Sequence, residues 1–369
     1  MSDARDVLIA GGGTGGHVFP GLALADALRA RGMRVGFVGT PAGLEARAVP
    51  AAGYPIDLIP GRQVRGGGIG RAAGGAVALA SGVARARRLL MAHRPRLVVG
   101  VGGYASVAAV VAAGLGRRPV VLMEQNAIPG MANRTLGRLA RRVCLGFAEA
   151  ASFFPAGRTV HTGNPIRPAV LAAPPSPPHD RLGLLIFGGS QGATHINDAA
   201  VVALGALGDG ARALRITHQT GIADQAGVAS AYAGLGLDVR VEAFITDMGA
   251  AYRAADVVVA RAGAMSCAEI TAMGLPSVLI PYPYAADDHQ RRNAEVIAAA
   301  GAATVILDRE LDGPRLTAAL APLVGDAAAR CTMASLSRAL GRPDAANTAA
   351  DVCLRVIADH PLEDHVPLL

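Results

Sequence analysis

Short apolar runs recur along the chain, each followed by glycine or polar residues and then by a longer stretch of helical composition. In the first half they fall at residues 7–10, 34–39, 56–59, 97–101, 119–123 and 142–145. They carry little polar alternation, so they predict strands buried on both faces, as in a parallel sheet wrapped by helices. Around residues 162–168 the rhythm breaks, and Ala172-Ala173-Pro174-Pro175-Ser176-Pro177-Pro178 is the most proline-dense stretch of the chain, as a domain boundary would be. The rhythm then returns at 184–187, 214–217, 239–241, 257–260, 278–280 and 304–307. The predicted fold class is α/β, with two tandem doubly wound Rossmann-like domains, residues 1–164 and 165–344, facing a cleft. A final helix, about residues 345–358, follows the breaker Gly341-Arg342-Pro343 and is expected to pack back on the first domain.

The first strand runs into Gly11-Gly12-Gly13-Thr14-Gly15-Gly16-His17, five glycines in seven residues, and then into a helix. Glycine lets backbone N–H groups approach a ligand closely, and a helix start carries roughly half a positive charge, so the turn suits a phosphate or sugar. Gly11, Gly13 and Gly16 also fit the dinucleotide fingerprint, which needs an acid ending the second strand to hold a ribose. That strand ends in Thr40-Pro41, and the next acid is Glu45, which disfavours a nicotinamide dehydrogenase. His17 is the only side chain in the turn that can move a proton near neutral pH, with an ordinary pKa of about 6.5. Two further segments at strand ends, residues 102–106 and 124–130, are expected to line the same cleft.

Composition narrows the chemistry. All 35 Lys+Arg residues are arginine, which excludes a P-loop lysine, a pyridoxal Schiff base and a kinase phosphate-pairing lysine. Residues 1–165 hold 20 Arg against 7 acidic residues, a net +13, whereas 166–369 hold 15 against 21, a net −6. The basic half suits an anionic membrane surface. Nucleic acid is disfavoured, because only 4% of residues are aromatic and none is Trp, which leaves few stacking platforms. Cys144, Cys267, Cys331 and Cys353 are far apart and predict neither a zinc site nor a disulfide framework. The start, Met1-Ser2-Asp3-Ala4-Arg5-Asp6, does not read as a signal peptide. Residues 97–116 are uncharged and long enough on paper to span a bilayer, but Gly102-Gly103 divides them, and they are read as buried core.

In the second domain, Arg261-Ala262-Gly263-Ala264-Met265-Ser266-Cys267-Ala268-Glu269 opens a helix after a strand. Its first-turn N–H groups can hold a diphosphate, and Glu269 can accept two hydroxyl hydrogens from a ribose or sugar diol. Seven motifs then occur in one order: Gly-Gly-Thr-Gly-Gly-His, Gly-Gly-Tyr, Glu-Gln-Asn, Gly-Asn-Pro-Ile-Arg, Gly-Gly-Ser-Gln-Gly-Ala, Arg-Ala-Gly-Ala…Glu, and His-Gln-x-x-Asn-Ala. Together, from about residue 7 to residue 357, they closely resemble the glycosyltransferase family 28 enzymes of bacterial peptidoglycan synthesis, which add N-acetylglucosamine to a lipid-linked muramyl pentapeptide.

The resemblance implies a GT-B fold with UDP-N-acetylglucosamine held mainly by the C-terminal domain. Arg167 and the loop around Ile245 would frame the uracil. Ser190 and Gln191, with Ala264, Met265 and Ser266, would hold the diphosphate, and Glu269 the ribose. Gln290, with His289 beside it, would contact the sugar, as would Asn126, with Thr14, Gly15 and Gly16 also reaching the donor. The acceptor diphosphate would lie against Thr14 to His17 and against Gly102, Gly103 and Tyr104. His17 would be the general base of an inverting transfer. No metal or cofactor is implied, and no Asp-x-Asp motif stands out. Such enzymes are expected on the cytoplasmic face of the bacterial inner membrane, within a cell-wall synthesis complex. The membrane contact would be a patch in which Arg62, Arg65, Arg71, Arg85, Arg87 and Arg88 surround residues 72–84, where large apolar side chains are nearly absent. Another GT-B enzyme using a UDP-sugar, such as a lipid glycosyltransferase or an epimerase, and a non-catalytic sugar-nucleotide-binding protein are the alternatives.

Overall fold

The computed structural model describes residues 5–60, 69–171, 181–189 and 192–360. The chain divides into two compact units, one comprising Met1–Arg167 with Asp344–Leu369 and the other Pro168–Pro343. Among the described residues the first unit holds β1 (Val7–Gly11), β2 (Val35–Gly39), β3 (Ile56–Leu58), β4 (Leu97–Gly102), β5 (Val120–Glu124), β6 (Arg142–Leu145) and β7 (Thr159–His161), in sheet order β3-β2-β1-β4-β5-β6-β7. The second holds β8 (Leu182–Phe187), β9 (Leu214–Gln219), β10 (Val239–Glu242), β11 (Val257–Ala260), β12 (Ser277–Leu279) and β13 (Ala303–Val305), in order β10-β9-β8-β11-β12-β13. Their pairings are parallel. Strand order switches direction beside β1 and beside β8, and ligands of doubly wound sheets bind at such switch points.

The continuous apolar runs are explained by burial of both sheet faces. Side chains alternate along a strand, so Val7 and Ile9 of β1 point to one face, with Leu24, Leu28, Val352, Val356 and Ile357. Leu8 and Ala10 point to the other, with Leu89, Leu90 and Val110. The closing helix Ala345–Asp359 therefore covers the first sheet beside the first helix, Gly15–Arg29. Arg31 ties the two by an ion pair to Asp351 at 3.0 Å and a hydrogen bond to Asn347 Oδ1 at 2.9 Å.

Residues 97–116 form β4 and the helix Tyr104–Leu115, mostly buried in the second of these cores. No helix among the described residues is long and apolar enough to cross a membrane. The short edge strand β7 was not predicted, because Thr159-Val160-His161 offers no apolar run. The proline-dense residues 172–178 lie outside the described residues.

Candidate active site

In the first unit, the segments that follow β1, β4 and β5 come together at the carboxyl end of the sheet. The opening turn packs backbone to backbone on the β4 turn: Gly12 N donates to Gly102 O at 3.2 Å. Side chains would prevent this. A Cβ on Gly103 would lie 2.5 Å from Gly12 O, and one on Gly102 would lie 2.6 Å from Cδ2 and Nε2 of His17. Both glycines also have positive φ, +104° and +80°. Gly102→Ala is therefore expected to displace the His17 ring and lower kcat at least about tenfold, by analogy with other 1 Å misplacements. Steady-state kinetics beside a melting curve would separate this effect from unfolding.

His17 sits in the first turn of the helix Gly15–Arg29, and its Nδ1 lies 3.1 Å from Gly12 O. A carbonyl can only accept, so Nδ1 carries the proton. Thr14 is the N-cap residue, yet its side chain accepts nothing from the helix. Asp247, Asp312 and Asp326, by contrast, cap helices of the second unit through their carboxylates. His17 N and Val18 N donate to Thr14 O, each at 3.1 Å, so the Gly15 and Gly16 amides at the very start of the helix are the ones no side chain caps.

Glu45 does not face a ribose. It is 1% exposed, and its Oε2 accepts from Gly13 N at 2.7 Å while Oε1 accepts from Thr40 N at 2.8 Å and Thr40 Oγ1 at 2.9 Å. The acid beyond β2 thus braces the glycine turn from beneath.

After β5, Asn126 is placed by Glu124, whose Oε1 accepts from Asn126 N at 2.9 Å and whose Oε2 accepts from Asn133 Nδ2 at 2.8 Å. Burial pushes the Glu124 carboxyl above the usual range, against the pull of those amides. Gln125 Nε2 donates to Val101 O, and Asn164 Nδ2 donates to Gln125 O, which fastens this loop to β4 and to the Gly-Asn-Pro segment. Tyr104 turns its hydroxyl inward toward Gly82 of the helix Ile69–His93, where a Cβ would lie 3.0 Å away. That oxygen is buried with no hydrogen-bond partner among the described residues, and burial raises its pKa. The Arg167 guanidinium stacks 4.7 Å above the ring of Phe19.

In the second unit, β11 leads through Arg261 and Gly263 into the helix Ala264–Met273, whose first turn is likewise uncapped by any side chain. Ala264, Met265 and Ser266 are partly exposed there, and Glu269 is buried one turn further. Glu269 Oε2 accepts from Tyr252 Oη at 3.0 Å, and Tyr252 is itself fully buried, edge-on to Phe187. Arg261 is buried and donates to the carbonyls of Ile280 and Pro281 and to Asp308. Burial opposes ionisation of Asp308, but Arg261 and His195 hold its carboxyl below the usual range.

The loop after β12 is shaped by its own hydrogen bonds. Gln290 Oε1 accepts from Tyr282 N at 3.0 Å, which leaves the amide nitrogen of Gln290 as a donor. His289 Nδ1 donates to Ala286 O at 2.6 Å. Asn293, fully buried, donates to Ala262 O and so locks this block to the β11 turn. Gln219 Nε2 donates to Gly189 O, joining the ends of β9 and β8. Ile245 is buried, while its neighbour Phe244 is exposed. Ser190 and Gln191 lie outside the described residues.

Residues 7–145 match the Glycosyltransferase family 28 N-terminal domain, and residues 183–349 match the Glycosyltransferase family 28 C-terminal domain. The chain is 44% identical to the UDP-N-acetylglucosamine--N-acetylmuramyl-(pentapeptide) pyrophosphoryl-undecaprenol N-acetylglucosamine transferase of Pelobacter propionicus (strain DSM 2379 / NBRC 103807 / OttBd1), across 94% of this chain and 98% of that one. The chain belongs to glycosyltransferase family 28. A relative of the same name from Geobacter metallireducens is 46% identical across 94% of this chain and 97% of its own. The crystal structure of Acinetobacter baumannii MurG superposes with a TM-score of 0.80 at 31% identity, covering 95% of this chain and 99% of that one. Family 28 thus accounts for the two Rossmann-like domains of a GT-B enzyme.

Motif reading gave no role to Glu45, Glu124, Tyr252 or Asn293, each of which holds a site segment in place. The signal for three of them was present: Glu45 and Glu124 are acids beside glycine-containing segments that follow strands, and Asn293 is the amide of the His-Gln-x-x-Asn-Ala motif. Tyr252 had none, because only the fold brings it to Glu269.

Proposed function

We propose that this protein is an inverting N-acetylglucosaminyltransferase that moves the sugar from UDP-N-acetylglucosamine to the C4 hydroxyl of a lipid-linked muramyl pentapeptide, converting lipid I to lipid II in peptidoglycan synthesis. The observation that carries the reading is the 44–46% identity to transferases of that name over 94% of this chain, with this chain's glycine-rich motifs following strands of both units. His17 takes the proton of the acceptor hydroxyl as its oxygen bonds to C1 of the sugar. The C1–O bond to the diphosphate breaks on the opposite face, and UDP departs as the anion. Backbone N–H groups at Ala264, Met265 and Ser266, with Ser190 and Gln191, stabilise that diphosphate. Glu269 holds the ribose hydroxyls, Arg167 and Ile245 frame the uracil, and Gln290, His289 and Asn126 orient the sugar. Thr14, Gly15 and Gly16, with Gly102, Gly103 and Tyr104, bear on the acceptor diphosphate and the donor sugar.

UDP release from UDP-N-acetylglucosamine, with and without lipid I, tests the reading. Release that requires the lipid is expected. Release without it would point to an epimerase or hydrolase.

The same reading places the protein on an anionic membrane surface, where a cell-wall synthesis complex would be met. Arg62 and Arg65 lie outside the described residues, as does the Arg71 side chain, but Arg85, Arg87 and Arg88 are exposed on the helix Ile69–His93. Val77 of that helix is 71% exposed, and Leu115, at the end of the neighbouring helix, is 70% exposed. Val77 belongs to the stretch 72–84, and Leu115 adds an exposed apolar side chain from outside it. Each arginine near an anionic surface contributes about 1 kcal/mol at most, screened over about 8 Å at physiological salt. Binding to phosphatidylglycerol-containing vesicles is expected to weaken in high salt and on Arg85→Glu/Arg88→Glu substitution. Cosedimentation unchanged by either would contradict the assignment.

A further inference from the structure

We propose that Glu45 is a positioning residue for His17, acting through the single peptide group that joins Gly12 to Gly13. The inference rests on the reading of His17 as the base. The two ends of that peptide are engaged at once. Its N–H, on Gly13, donates to Glu45 Oε2 at 2.7 Å, and its C=O, on Gly12, accepts from His17 Nδ1 at 3.1 Å. Glu45 is 1% exposed and held from the other side by Thr40 N and Oγ1, so all its hydrogen bonds come from donors, as suits a carboxylate.

Close packing makes the arrangement specific. A Cβ on Gly12 would fall 2.0 Å from the Glu45 carboxyl carbon, and Cβ atoms on Gly43 and Gly39 would fall 2.0 Å from Glu45 Oε2 and 2.4 Å from its Cγ. Three glycines thus open the space this side chain fills. A charge-assisted hydrogen bond to the N–H polarises the peptide and strengthens its carbonyl as an acceptor. That carbonyl then fixes the Nδ1–H tautomer and puts the lone pair on Nε2. When Nε2 takes the acceptor's proton, the imidazolium keeps its Nδ1–H on the same carbonyl, and the buried negative charge two hydrogen bonds away favours it. No proton crosses the peptide. An Asp–His pair in a hydrolase does the same by direct contact. On its other side the ring packs against the uncharged Gly102 backbone, where a Cβ would fall 2.6 Å from Cδ2 and Nε2.

The test combines kinetics with nitrogen-15 NMR of histidine-labelled protein. In the wild type, neutral His17 is expected to carry its proton on Nδ1. In Glu45→Gln, kcat is expected to fall about tenfold, and the acid limb of its pH profile to move down by about half a unit, because the charge favouring imidazolium is gone. The melting temperature and circular dichroism report whether that variant is folded. If it is not, Glu45→Asp replaces it, keeping the charge but shortening the reach, and the Nδ1–H preference is expected to weaken with kcat. An Nε2–H tautomer in the wild type, or a folded Glu45→Gln with an unmoved acid limb and tautomer, overturns the proposal while leaving His17 as base. Full activity in His17→Ala would instead remove the base reading itself.

Discussion

Replacing His17 with alanine is expected to lower kcat by about 10²–10⁴ while leaving UDP-N-acetylglucosamine binding unchanged, the loss typical of a missing general base. The attacking sugar hydroxyl is a poor nucleophile until its proton is taken, and in the proposed mechanism His17 takes it. Its Nδ1–H is committed to Gly12 O at 3.1 Å, and its ring lies against the Gly102 backbone. Donor affinity should survive, since the groups proposed to hold the nucleotide belong largely to the second unit. A change confined to donor KM would show that His17 binds substrate without moving its proton.

Glu269→Ala is expected to raise the KM for UDP-N-acetylglucosamine at least about 10²-fold, because hydrogen bonds to a charged group contribute about 1.5–3 kcal/mol each and a ribose diol would make two. Alanine is a good helix former, so the helix Ala264–Met273 should persist. Tyr252→Phe is the control: it removes the 3.0 Å bond that orients the carboxylate but keeps the carboxylate itself, and a KM increase below about tenfold is expected. Isothermal titration with UDP checks both. Equal effects on UDP and on uracil, which lacks the ribose, would contradict the role.

The strands were legible because a doubly wound sheet buries both faces, so its strands appear as uninterrupted apolar runs such as Val98-Val99 and Val257-Val258-Val259. Where burial is shallower the signal fails, as at β7. Site segments were legible for a related reason: glycines crowd where backbones must touch, as Gly12 and Gly103 do. What stayed hidden is pairing between distant positions. Glu45 stands 32 residues beyond Gly13, and its place after β2 suggested a question about ribose. The structure gives it to the glycine turn instead. Arg261 looked like part of a phosphate-binding helix start, yet its guanidinium is spent on Ile280, Pro281 and Asp308, where it fixes the following loop. His218 is a third case. It is buried between Tyr232 and Asn197, and burial pushes its pKa down to about 4, so it stays neutral and structural near pH 7.

The most direct test of the central claim is the product itself. Purified protein incubated with lipid I and UDP-N-acetylglucosamine should yield a lipid heavier by one N-acetylglucosamine residue, and NMR of the released disaccharide should show a β linkage to C4 of the muramyl sugar. Unchanged lipid despite donor turnover, or an α linkage, would contradict the account.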